Sequence, residues 1–85
     1  SINYKVMNNN SLRSPKHKFL AQINFDVPLE GVGSVITVTD NDFGNLKHLI
    51  AQLAQGCPAH VTIRENKAVY PSFDWNMVDE YNLNK

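Results

Sequence analysis

The residues with chemical potential are few and scattered. Cys57 and His60 stand at C-x-x-H spacing, which is half of a tetrahedral metal site. No second close pair completes it, since His17 and His48 are isolated in the chain. Asp40-Asn41-Asp42 opens like a calcium loop, but Gly44 falls at the fifth position instead of the sixth, and no glutamate stands at the twelfth. A helix cap explains that acidic pair more simply. Gly31-Val32-Gly33 lacks the third glycine, or the Gly-Lys-Ser/Thr run, that a phosphate cradle needs. Cys57 is expected just beyond a helix C-terminus, whose partial negative charge opposes a thiolate. No serine sits in a G-x-S-x-G elbow. Asp79 and Glu80 are adjacent, and adjacent positions of a helix do not face each other. No catalytic group, metal or cofactor is expected, and the chain reads as a non-enzyme.

Binding is the remaining chemistry, and the charges give it a direction. Eight basic and eight acidic side chains cancel over 85 residues. That balance argues against a dedicated nucleic-acid binder and against an acidic decoy. The total nevertheless hides a polarity. Residues 1–25 carry Lys5, Arg13, Lys16 and Lys18 and no acid, while residues 73–85 carry Asp74, Asp79 and Glu80 against Lys85. The stretch Lys5, Arg13, Lys16, His17 and Lys18 offers phosphate contacts. An ordinary solvated loop is the simpler account of it. Charged residues make up only 19% of the chain, and eleven asparagines help to fill the polar surface.

The elements that must position these residues follow from period and punctuation. Ile2, Tyr4 and Val6 alternate with polar residues, as in a short first strand. Residues 8–16 read as an exposed loop. Phe19, Ala21, Ile23, Phe25 and Val27 alternate over nine residues and form the clearest strand. Pro28 to Ser34 makes a turn, and Val35 to Thr39, β-branched throughout, returns as a third strand. A helix follows, capped by Thr39 or Asp40 with Asp42 in its first turn, and stopped by Gly56 and Pro58. Phe43, Leu46, Leu49, Ile50, Leu53 and Ala54 fall within an arc of about 140° on that helix. Its other face carries Asn45, Lys47, His48, Gln52 and Gln55, polar but nearly uncharged. Ala59–Arg64 and Lys67–Tyr70 read as strands joined at Glu65-Asn66. Ser72 then caps a last helix over residues 73–82, with Phe73, Met77, Val78 and Tyr81 on one face and Trp75 at its edge.

The expected fold is thus α+β: one domain over residues 1–85, a two-layer sandwich in which two helices cover one face of a five-stranded antiparallel sheet. Two helices on a small sheet resemble in shape some phage-encoded inhibitors, including certain anti-CRISPR proteins. The likeness is one of shape alone, and no motif carries it. The expected role is a small protein-binding module, a regulator or inhibitor acting by surface contact. Asn45, His48, Gln52, Gln55, Trp75, Asp79 and Glu80 are the expected contact residues. The alternative is a nucleic-acid-binding accessory protein using Lys5, Arg13, Lys16, His17 and Lys18. A homodimer through an uncovered edge strand is a further option. The lone cysteine and the lack of an apolar leader or an 18-residue apolar span point to a cytoplasmic protein with no membrane partner.

Overall fold

The alternating run that begins at Phe19 becomes the central strand of a four-stranded antiparallel sheet. The computed structural model describes residues 17–69 and 72–85. Their elements are β1 (Phe19–Leu29), β2 (Gly33–Asp40), α1 (Phe43–Leu53), β3 (Ala59–Asn66) and β4 (Trp75–Leu83). The strands lie in the order β2-β1-β3-β4. β1 pairs with β2 through a glycine turn, in which Val32 donates its N–H to the Leu29 carbonyl at 3.1 Å. Gly31 and Gly33 there have φ of 78° and 93°, a backbone region that β-branched residues avoid. β1 also pairs with β3 across the helical crossover, and β3 pairs with β4 as a second hairpin.

α1 lies across β1 and β2 on one side of the sheet. Leu46, Leu49 and Ile50 are buried beneath it, with Ala54 at its C-cap and Phe43 and Leu53 packed at the margin. The sheet meets them with Ala21, Ile23 and Phe25 of β1, Ile36 and Val38 of β2, and Ala59, Val61 and Ile63 of β3. Apolar burial of this kind is the main stabilising term in a chain without disulfides. Phe19 and Phe43 close one end edge to face, with ring centroids 5.4 Å apart.

Both helix ends are satisfied by side chains. Asp42, expected inside the first turn, is itself the N-cap and accepts from the Asn45 N–H at 3.2 Å. Asp40 in turn accepts from the Asp42 N–H at 2.8 Å and from the Asn45 amide at 2.6 Å. At the other end Asn84, far along the chain, donates its side-chain amide to the carbonyls of Ala54 at 2.6 Å and Cys57 at 3.0 Å. The Ala54 carbonyl also accepts from the Cys57 N–H at 2.9 Å, so the turn after the helix is tied both to itself and to the residues that follow β4.

The architecture corrects the expected β-β-β-α-β-β-α order. The described residues hold four strands and one helix. The two-helix layer and the shape likeness built on it therefore fall. Residues 73–82 are not helical: they lead into and form β4. The expected turn at Glu65-Asn66 is the end of β3, and residues 67–69 are not a strand. The expected first strand over residues 2–6, the loop 8–16, and Tyr70 lie outside the described residues.

The mistaken helix has a physical origin. Ile63 pairs with Asp79, but the next residue, Arg64, pairs with Met77, so Val78 is an extra residue in β4. This bulge switches which face odd-numbered residues take. Trp75 and Met77 share the face of their partners Asn66 and Arg64, away from α1, while Asp79, Tyr81 and Leu83 share the helix side with Ile63, Val61 and Ala59. Apolar residues at 73, 77, 78 and 81 imitate helical spacing because the strand's period of two is broken in its middle.

Candidate functional site

The side of the sheet away from α1 is polar over β3 and β4. The register sets His60, Thr62 and Arg64 of β3 beside Asn24, Gln22 and Leu20 of β1. On the other flank, Asn82, Glu80 and Met77 of β4 stand beside the same three residues. The His60 ring is held from both ends. Its Nε2 lies 2.7 Å from Glu80 Oε2, and its Nδ1 lies 3.0 Å from Asn82 Oδ1. The hydrogen bonds to Asn82 and Glu80 and the Glu80 charge raise the His60 pKa above its ordinary 6.5. Arg64 donates from Nη1 to Gln22 at 3.3 Å and to Thr62 at 3.5 Å, which ties the guanidinium to side chains of β1 and β3.

At the end of this face the surface turns apolar. Met77, opposite Arg64, is 51% exposed, and the bulged Val78 is 41% exposed. Val69 and Phe73, in the connection between β3 and β4, are 84% and 49% exposed. The described residues of that connection are held by hydrogen bonds. The half-turn is anchored by buried Asn66, whose side-chain oxygen accepts from the N–H groups of Ala68 at 3.1 Å and Asp74 at 2.8 Å. Lys67 donates its N–H to the Asp74 carbonyl at 3.0 Å, and Ser72 to Val69 at 2.9 Å. Met, Arg and Trp side chains around a low-charge centre are the composition of contact surfaces between proteins.

The two edges of the sheet differ. β2 buries four consecutive residues, Ile36 to Thr39, so both of its faces are covered there. β4 buries none along its whole length.

The residues expected to form one contact surface are divided between opposite sides of the molecule. Asn45, His48 and Gln52 are exposed on α1, and Gln55 is exposed just beyond its C-cap. Trp75 and Glu80 lie on the face of the sheet away from α1. Asp79 lies on the helix side, where its carboxylate meets the Lys47 ammonium at 3.0 Å. Lys47 also stands 4.5 Å from the Tyr81 ring centroid and 5.7 Å from that of Phe43. Burial pushes the Tyr81 phenol up, against the opposing pull of the Lys47 charge. Met77, Arg64, Val69 and Phe73 are not among the residues expected for contact; Met77 and Arg64 stand side by side on the face away from α1, and Val69 and Phe73 are exposed in the β3–β4 connection.

Of the basic stretch, Lys5, Arg13 and Lys16 lie outside the described residues. Lys18 pairs with Glu65 at 3.3 Å, and His17 Nδ1 lies 3.0 Å from the Thr39 hydroxyl. Cys57 packs against the core on the helix side, with its thiol directed to the Gln55 carbonyl, and His60 points the other way. The described residues contain no group of three or more metal-ligating side chains. No helix among them is long and apolar enough to cross a membrane. Compared with protein-family models, with curated proteins and with solved structures, the chain matches none.

Proposed function

We propose that this chain is a small non-enzymatic protein-binding module that engages its partner through the face of β3–β4 away from α1. The observation that carries the reading is the position of Met77. It is half exposed and sits beside Arg64, on the strand that follows the connection bearing the exposed Val69 and Phe73. Large apolar side chains left in water next to an anchored arginine are the usual ingredients of an interface centre. A regulator or inhibitor acting by surface contact fits this arrangement. A reducing, cytoplasmic setting suits the single free thiol, Cys57. Of the residues of the nucleic-acid alternative, Lys18 is paired with Glu65.

The test is affinity capture and cross-linking from an extract of the source organism, with variants on each side of the molecule. A true partner is retained by wild-type protein and by Gln52→Arg on the outer helix face, and is lost with Met77→Glu or Phe73→Ser. Capture that depends on Gln52 and ignores Met77 and Phe73 overturns the reading.

A further inference from the structure

We infer that the outer edge of β4 is a docking edge for an extended, basic segment of a protein partner, which joins the sheet as a further strand. This rests on the protein-binding reading above and specifies how binding occurs. β4 ends the strand order, and no described strand lies beyond it. It carries no buried residue, whereas β2 at the opposite edge is buried on both faces from Ile36 to Thr39. The bulge at Val78 interrupts the edge once. Beyond it, Asp79–Leu83 runs in unbroken register with Ala59–Ile63, so its backbone groups follow a regular strand repeat, with the Glu80 N–H accepted by Asp79 Oδ1 at 2.9 Å.

Charge selects the occupant. Trp75–Leu83 contains Asp79 and Glu80 and no basic residue. Their countercharges, Lys47 and His60, come from α1 and β3 on the inner side of the strand. Glu80 keeps half of its side chain exposed. A strand laid along this edge would place one set of alternate side chains beside Met77 and Glu80, and the other beside Asp79, Tyr81 and Leu83. An apolar residue near Met77 and a lysine or arginine near Glu80 complement it. A second copy of this chain is the poorer occupant. Full antiparallel overlap of two β4 strands sets Asp79 directly opposite Asp79, and like charges in that position destabilise a strand pair.

Selection of short linear peptides from a displayed random library on the whole chain tests the inference. The enriched peptides should be basic, rich in β-branched residues and free of proline. Binding should slow amide exchange in β4. N-methylation of alternate peptide amides should weaken it about tenfold, because each removes a backbone hydrogen bond, and methylation of the intervening amides should not. Glu80→Lys, with an unchanged circular dichroism spectrum, should weaken the basic peptides by roughly fivefold. Peptides that protect α1, or that tolerate methylation at every position, overturn strand addition, as does a homodimer that protects β4. A captured protein still lost with Met77→Glu in that case leaves the contact surface standing, so the two readings fail separately.

Discussion

Lys47 on α1 and Asp79 on β4 meet at 3.0 Å across a sheet position that the helix backbone itself does not cover. α1 packs on β1 and β2, and this pair ties it to the far strand. The ammonium also lies over the Tyr81 ring, so one side chain serves an ion pair and a cation–π contact at once. Lys47→Ala should lower the unfolding free energy by about 1 kcal/mol, the scale of a partly exposed ion pair plus a surface cation–π contact. Lys47→Met, which keeps the stem, should lose less. Urea midpoints for both variants, compared at low and high salt, check the size and the electrostatic share.

His60 makes stability depend on pH in a defined direction. Its folded pKa lies above the unfolded value because Asn82 and Glu80 favour the protonated ring. The contribution is therefore fully present below the unfolded value near 6.5 and is lost as pH rises through the higher folded value. Comparison of wild type with His60→Gln across this range should show the advantage of wild type shrinking as pH rises. A proton NMR titration of the imidazole should give a midpoint above 6.5 that falls in Asn82→Ala and in Glu80→Gln.

Asn66 holds the β3–β4 connection by accepting from two backbone N–H groups. Asn66→Ala removes the one oxygen that accepts both bonds and should cost about 2 kcal/mol. Hydrogen exchange should quicken most at Ala68 and Asp74. Asn66→Asp, which retains the accepting oxygens, should restore much of the protection.

Asn84 connects the end of the chain to the end of the helix. Asn84→Ala leaves the Ala54 and Cys57 carbonyls without this donor and should cost about 1 kcal/mol. Asn84 also has φ of 60°, so Asn84→Gly relieves the backbone while losing the same bonds. Melting temperatures of the two variants should place the glycine form above the alanine form.

The central hydrophobic pattern was legible before any coordinates. Ile23, Phe25 and Val38 announce strands by alternation, and Leu46, Leu49 and Ile50 announce a helix by their spacing. These signals are local, since each follows from the geometry of one element. Gly31 and Gly33 likewise mark a turn that only a permissive backbone makes easily. The face away from α1 was legible only in part: Trp75 and Glu80 lie on it together with Met77 and Arg64, which carry no local sequence signal for that face.

What remained for the tertiary structure were relationships between elements. The bulge at Val78 exists only because β3 sets a register for β4, and without that partner the spacing of Phe73, Met77, Val78 and Tyr81 suits a helix. The separation of Trp75 from Gln52 onto opposite sides of the molecule, and the reach of Lys47 to Asp79, are likewise consequences of packing. Local sequence determined where the apolar stripes lie and how tightly the chain can turn. Pairing with neighbouring strands decided which face each polar residue takes, because a single extra residue in a strand reverses the orientation of every residue beyond it.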